Sequence, residues 1–203
     1  AEAHSNLGVT LQALAKFEEA EASYRQAIAL KPDFAEAHNN YGNALRAMGR
    51  FGEAEASYRK TIRLKPQYSA AHNNLGNTLQ ELARLNEAEE SFRQAIALEP
   101  DFVEAHNNLG NTLRDLNRLE DAKSSYRHAI VLNANYAAAH RNLGITLQEL
   151  GRIEESEVSF RQAIALKPDF AEAYSSLGIT LISLGNRDDA VFNFKKSHEL
   201  IWG

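Results

Sequence analysis

The sequence predicts an all-α protein, an α-solenoid built from six tandem helix-turn-helix repeats. The chain repeats itself every 34 residues without a gap. Apolar residues follow a helical spacing twice within each repeat, and glycine or proline stands where the helices should end. A fixed period of this length is typical of arrays in which each repeat is one supersecondary unit. We expect one array without a second domain, with repeats at residues 1–34, 35–68, 69–102, 103–136, 137–170 and 171–203.

The first helix of each repeat is predicted by apolar residues three or four positions apart, which share one face of a helix. In the first repeat these are His4, Leu7, Leu11 and Leu14. The helix should end at the next residue, where four repeats carry a residue type that tolerates the left-handed conformation. Those residues are Gly49, Asn117, Gly151 and Gly185, whereas Ala15 and Ala83 depart from the pattern.

The second helix of each repeat is predicted by a second apolar series and is ended by proline. In the first repeat the series is Phe17, Ala20, Tyr24, Ala27, Ile28 and Leu30. Proline cannot continue a helix, so Pro32, Pro66, Pro100 and Pro168 mark the helix ends. The aspartates that follow are predicted to cap the next first helix, as capping boxes with a glutamate three residues later. The pairs are Asp33 with Glu36, Asp101 with Glu104, and Asp169 with Glu172.

Small residues predict where the two helices of a repeat approach closely. A glycine recurs at repeat position 8, from Gly8 to Gly178, and position 20 carries alanine or Ser156. We expect these two positions to face each other, because larger side chains there would force the helices apart.

The residue types that recur from repeat to repeat resemble the signature of the tetratricopeptide repeat (TPR) family, and the resemblance covers the whole chain. The matching positions in the first repeat are His4, Leu7, Gly8, Leu11, Ala20, Tyr24, Ala27 and Pro32. The likeness is strongest to the TPR arrays of O-linked N-acetylglucosamine transferases and to related bacterial TPR proteins. It implies a right-handed superhelix with the first helices lining the concave side. Histidine replaces the usual aromatic residue at position 4 of five repeats, which leaves the fold assignment intact.

Composition argues against several functional classes. The net charge of −5 is spread along the chain, which does not favour a nucleic acid partner, and no stretch is long and apolar enough for a membrane helix. No cysteine is present to supply a thiol nucleophile or a disulfide. The recurring histidines lie on successive helices too far apart to share an ion, so we interpret them as packing residues. We therefore expect no enzyme active site, cofactor or metal.

The basic residues at the end of the second helix of repeat 2, Arg59, Lys60 and Lys65, raise the alternative of phosphate binding. Cations are favoured at the C-terminus of a helix by its dipole. We interpret these side chains as solvated charges of the helix end.

The candidate binding surface is a ladder of amide side chains on the first helices. If positions 4, 7, 8 and 11 pack inward, positions 5, 6 and 9 lie on the opposite face. A carboxamide offers both a donor and an acceptor, as an extended peptide backbone does at every residue. We therefore predict a peptide-binding groove, with Arg141 as an anchor. Its residues are Asn6, Asn39, Asn40, Asn43, Asn73, Asn74, Asn77, Asn107, Asn108, Asn111, Arg141 and Asn142.

Three alternatives stay open at this stage. The asparagines could bond to one another and to the neighbouring repeat, stiffening the array. The resemblance also implies a substrate-recruiting arm of a larger glycosyltransferase, and we expect the chain, which opens at Ala1, to be part of a longer protein. A structural protein that associates end to end is the third, through Phe194, Leu200 and Trp202. Compartment is not determined by the sequence.

Overall fold

The computed structural model describes residues 1–203 and consists of twelve α-helices and no strand. Two helices fall in each predicted repeat, which confirms the all-α fold of six helix pairs. The first helices are α1 (Glu2–Ala13), α3 (Ala35–Ala47), α5 (Ser69–Glu81), α7 (Val103–Asp115), α9 (Ala137–Glu149) and α11 (Ala171–Ser183). The second helices are α2 (Phe17–Leu30), α4 (Phe51–Leu64), α6 (Leu85–Leu98), α8 (Leu119–Leu132), α10 (Ile153–Leu166) and α12 (Arg187–Trp202).

The helices form two compact units, an N-terminal unit (Ala1–Pro100) and a C-terminal unit (Asp101–Gly203). Within each unit the two helices of a repeat pack on each other, and the second helix packs on the first helix of the next repeat. Each repeat thus buries its apolar face against its neighbours, as in a solenoid. None of the twelve helices combines the length and the apolar character that crossing a membrane requires.

The turn inside each repeat depends on one residue in the left-handed conformation. Gly49 has φ 74° and Asn117 has φ 58°, as predicted from their residue types. Ala15 and Ala83 adopt the same conformation with φ 57°, although each carries a Cβ atom that disfavours it. A backbone hydrogen bond that closes the turn favours this conformation. In repeat 3 the N–H of Arg84 donates to the carbonyl of Leu79 at 2.8 Å, across the left-handed Ala83.

The predicted aspartate caps are wrong. The N-cap residues of α3, α7 and α11 are Phe34, Phe102 and Phe170, and none of these helices has a side-chain cap bond. Asp33 lies one residue too early because a turn closes across it, with the N–H of Phe34 donating to the carbonyl of Lys31 at 3.1 Å. The second helices do end before the prolines, as predicted.

The close approach within each repeat involves an aromatic ring rather than the small residue at position 20. A Cβ atom added to Gly42 would lie 2.7 Å from Cε1 of Tyr58, well inside van der Waals contact. The same contact recurs in every repeat between positions 8 and 24. Ala20 and its equivalents are fully buried beside these rings, which is why they are small as well. The core of the first junction contains Ala20, Tyr24 and Ala44.

Candidate ligand-binding surface on the first helices

The asparagines at repeat position 5 are buried, although the sequence placed them on the free face. Asn39, Asn73 and Asn107 are only 4%, 7% and 5% exposed. Their burial gives them a supporting part in any ligand surface, because a ligand cannot reach them directly. In repeat 5 the same position carries Arg141, whose longer side chain is half-buried.

In the N-terminal unit the position 5 asparagine accepts a hydrogen bond from the next repeat. Nδ2 of Asn74 donates to Oδ1 of Asn39 at 3.3 Å and to Oδ1 of Asn43 at 3.1 Å. Both hydrogens of one amide are therefore used to join repeat 3 to repeat 2. Pairing buried polar groups in this way avoids the cost of leaving them unsatisfied.

The C-terminal unit repeats the arrangement. Nδ2 of Asn142 donates to Oδ1 of Asn107 at 3.0 Å and to Oδ1 of Asn111 at 3.1 Å. Because the same repeat positions form the same bonds at both junctions, the arrangement is a property of the repeat. The structural alternative raised by the sequence, in which asparagines join neighbouring repeats, is thus present in the molecule.

A buried tyrosine completes each junction. The hydroxyl of Tyr58 donates to Oδ1 of Asn43 at 2.7 Å, and that of Tyr126 donates to Oδ1 of Asn111 at 2.8 Å. Burial raises the pKa of Tyr58 to about 12, so the hydroxyl stays a donor at every ordinary pH. In repeat 3 the corresponding ring is Phe92, and Asn77 receives no such bond.

These networks leave a defined set of groups free on the surface. Asn40 is half-buried, and its only side-chain bond is a long one, 3.4 Å, from Nδ2 of Asn39 to its Oδ1. Asn74 uses its two hydrogens and keeps its Oδ1, whereas Asn43 uses its Oδ1 and keeps its two hydrogens. Position 6 thus presents acceptors and position 9 presents donors. An extended peptide backbone offers the matching N–H and C=O groups.

Arg141 extends the surface in the C-terminal unit. Its guanidinium lies 5.8 Å from the ring centroid of Phe170, and Nη1 lies 3.5 Å from Oδ1 of Asn142. Its Nε is buried and has no hydrogen-bond partner. A cation held over an aromatic face and beside an amide retains donors for an incoming acceptor.

An ionic junction between repeats was missed by the sequence reading. In the N-terminal unit Arg50 lies 2.5 Å from Glu21 of the preceding repeat and 2.7 Å from Glu53 of its own. Arg84 repeats this with Glu55 and Glu87 at 2.7 Å and 2.6 Å. The signal was available, because arginine recurs at repeat position 16 and glutamate at position 21.

These ion pairs shift the acidity of the exposed carboxylates. Hydrogen bonding to Arg50 lowers the pKa of Glu53, and hydrogen bonding to Arg84 lowers the pKa of Glu87. The same hydrogen bonds, to Glu53 and to Glu87, raise the pKa of Arg50 and of Arg84 respectively.

The position 4 histidines bond to backbone rather than to one another. Nε2 of His38 lies 2.9 Å from the carbonyl of Pro32, and His72 and His140 repeat this at 3.0 Å from Pro66 and Ala134. A carbonyl can only accept, so Nε2 carries the proton in each ring. The histidines therefore tie each first helix to the turn that precedes it. The structure contains no cluster of three metal-ligating side chains.

The three residues predicted to mediate self-association all lie at the surface. Phe194, Leu200 and Trp202 are 38%, 36% and 78% exposed on α12. Phe192, which the sequence did not single out, is also exposed on this helix. All four side chains belong to the last helix of the C-terminal unit, and at about 100° per residue they are distributed around it.

Comparison with known proteins agrees with this architecture. Family models described as tetratricopeptide repeat match residues 5–69, 69–102 and 91–124, and one described as TPR repeat matches residues 110–151 and 146–185. The comparison with curated protein sequences gave no match.

Solved structures show the same arrangement of helices. A crystal structure of MamA is 30% identical with a TM-score of 0.71, over 78% of this chain and 93% of that one. YrrB is 24% identical with a TM-score of 0.69, over 87% and 91% of the two chains. The pilF protein of Pseudomonas aeruginosa is 20% identical with a TM-score of 0.85, over 95% and 87%.

Helix pairs that recur every 34 residues, joined by repeated amide and ionic junctions, define a helical repeat protein of the protein-interaction scaffold class. The chain belongs to the tetratricopeptide repeat family. Proteins of this family are typically scaffolds without catalytic activity.

Proposed function

We propose that the amide surface of the first helices binds an extended peptide segment of a partner protein, mainly through its backbone. The observation that supports this most directly is the division of free groups, with acceptors at position 6 and donors at position 9. In the N-terminal unit these groups belong to Asn40, Asn74 and Asn43. Their amides are already oriented by bonds within the protein, which lowers the entropic cost of binding.

In the C-terminal unit the surface combines Asn142 and Asn111 with the cation of Arg141. A peptide carbonyl or carboxylate would match the free donors of this guanidinium. YrrB, one of the similar structures, is described as a TPR protein with an unusual peptide-binding site. Should the chain recruit substrates for a larger glycosyltransferase, as the resemblance implies, the same surface would hold the protein substrate. We assign no catalysis, nucleic acid or membrane partner to these helices.

The test separates amides that face a ligand from groups that support them. A random peptide library is captured on the wild-type protein, on the double variant Asn40→Ala/Asn74→Ala, and on Tyr58→Phe. The tyrosine variant breaks a buried bond of the same network but leaves every surface amide in place. We expect the wild type and Tyr58→Phe to capture peptides and the double variant to lose them while its helical circular dichroism persists. Equal capture by all three, or capture by none, would make the asparagines purely structural.

A second candidate function is self-association, favoured by the exposed apolar side chains of α12. Light scattering should show a mass that rises with concentration for the wild type. The variant Leu200→Glu/Trp202→Glu should remove that rise, whereas Val131→Glu, which changes an isolated side chain that is 82% exposed, should not. A mass that is independent of concentration in the wild type would rule this candidate out.

A further inference from the structure

The second helix of repeat 2 carries two cations that its equivalents lack. Residues 25–30, 93–98 and 161–166 all read RQAIAL, whereas residues 59–64 read RKTIRL. Lys60 replaces a glutamine and Arg63 replaces an alanine. The end of a helix favours cations, yet three equivalent helices end without these two. The helix dipole therefore does not explain why they are present.

Both cations line the same cavity, which lies between α2, α3 and α4 of the N-terminal unit. Its volume is about 620 Å³, and its lining includes the apolar groups of Ile28, Tyr41 and Ala56. The corresponding cavity between α10, α11 and α12 has a volume of about 410 Å³ and is lined by Ala165, the counterpart of Ala29. On α12 the positions that correspond to Lys60 and Arg63 carry Lys196 and Glu199, and neither of these side chains lines that cavity. The repeat 2 cavity is thus larger and more cationic than one built on the same plan.

Other charges of this region are balanced, but those of Lys60 and Arg63 are not. Lys65 lies 3.0 Å from Glu36, and Arg59 lies 2.6 Å from Glu55. Arg59 and Lys65 are therefore ion-paired within the protein, rather than being only solvated charges of the helix end. Lys60 and Arg63 make no ion pair.

The two carboxylates that line the cavity, those of Glu21 and Glu53, already form ion pairs within the protein. Arg50 binds both Glu21 and Glu53, and the hydroxyl of Tyr41 donates to Glu21 at 3.1 Å. Arg25 adds a further cation, 4.0 Å from Glu21, with 71% of its side chain exposed. An anion that enters the cavity would therefore find the unpaired cations Lys60 and Arg63 next to the apolar lining of the cavity.

We propose that this cavity is a second binding site, which takes an acidic peptide segment carrying at least one large apolar side chain. Carboxylates of the segment pair with Lys60 and Arg63, and the apolar side chain lies against Ile28 and Ala56. Charge complementarity selects an acidic partner. A nucleic acid would meet the net negative charge of the chain beyond this local patch.

The site is separate from the amide surface. His38 and Tyr41 line the cavity from α3, and Asn40 and Asn43 belong to the amide surface on the same helix. At about 100° per residue these two pairs lie on opposite faces of the helix. Binding in the cavity therefore does not require the amide surface, and separate variants can test the two proposals independently.

The test uses a fluorescein-labelled peptide, Glu-Glu-Leu-Glu-Glu-Phe-Glu-Glu, and its counterpart with every glutamate replaced by glutamine. Fluorescence anisotropy is measured on the full chain at about 50 mM NaCl, where screening is modest. The variant Lys60→Gln/Arg63→Ala restores the residues of the other repeats, so its fold is expected to persist. The matched control Arg187→Gln/Lys195→Gln removes two cations without ion pairs from α12.

We expect the acidic peptide to bind the wild type and the α12 control, and to bind Lys60→Gln/Arg63→Ala about tenfold more weakly. The glutamine peptide should bind all three proteins equally, because any binding that it retains belongs to the amide surface. Asn40→Ala should leave the difference in affinity between the acidic and the glutamine peptide unchanged. Three results would overturn the proposal: no binding by the wild type, equal binding by the repeat 2 variant, or tighter binding of a single-stranded oligonucleotide than of the acidic peptide.

Discussion

At the scale of single residues, the position of an asparagine within the repeat determines whether its side chain is buried at a junction or partly exposed. Position 5 lies against the next repeat and is buried, whereas position 6 reaches back across the junction and stays partly exposed. Asn39 and Asn40 are neighbours in sequence and differ in this way. Sequence spacing identified the amide row but not this division, because burial depends on which face the following repeat covers.

The first prediction concerns the amide that joins repeats 2 and 3. Asn74→Ala should lower the free energy of unfolding by about 1–2 kcal/mol, because it leaves the buried oxygen of Asn39 without its donor. Urea unfolding followed by circular dichroism measures this. Asn40→Ala is the control and should cost much less, since its amide makes only one long bond. Equal losses in the two variants would mean that the bridging bonds add no stability.

The second prediction concerns the contact between glycine and the aromatic ring. Gly42→Ala should destabilise the protein by about 1–3 kcal/mol, because its Cβ would press on the buried ring of Tyr58. Gly52→Ala places the same methyl group on α4 with nothing within 4 Å. It should stabilise by about 0.5–1 kcal/mol through helix propensity. Urea unfolding of both variants measures the change in the free energy of unfolding, which should be negative for Gly42→Ala and positive for Gly52→Ala. Destabilisation of both variants would contradict the packing described here.

At the scale of elements, the sequence predicted every helix but not how the helices begin. Proline and left-handed residues fix where a helix must stop, and these signals are local. The predicted aspartate caps were wrong because, in repeats 2 to 6, the turn before the first helix places a phenylalanine or tyrosine at the N-cap, as at Phe34 and Tyr68. The ionic junctions join different repeats, so a reading of one repeat at a time did not find them.

The third prediction is a pH dependence that arises from these junctions. Arg84 lowers the folded-state pKa of Glu87 below its unfolded value of about 4.3. The resulting stabilisation is present above that value and is lost as the pH falls through the lower folded-state pKa. Arg84→Gln should therefore reduce the thermal midpoint near pH 7 and flatten its decline as the pH falls below the unfolded-state pKa of about 4.3.

Arg187→Gln serves as the control for this measurement, because Arg187 makes no ion pair. Its melting curve should follow that of the wild type at every pH. A wild-type decline that Arg84→Gln leaves unchanged would show that the ionic junctions do not link stability to pH.

At the scale of the whole molecule, the 34-residue period was enough to predict the class of fold, the number of helix pairs and the family. The period works because each repeat cannot bury its apolar face alone and must pack on a neighbour. We propose that ligand specificity instead depends on departures from the repeat, such as Arg141, Lys60 and Arg63. Their partners become apparent only when the surrounding ion pairs and hydrogen bonds are known.

An N-methyl scan of a captured peptide shows whether the amide surface binds the peptide through its backbone. Each position of the peptide is changed in turn to its N-methyl form, which removes one backbone donor, and separately to alanine. We expect N-methylation at contacting positions to weaken binding by about three- to tenfold, as for one lost hydrogen bond, and most alanine changes to have little effect on affinity. Binding that tolerates N-methylation throughout but is lost with particular side chains would contradict binding through the backbone.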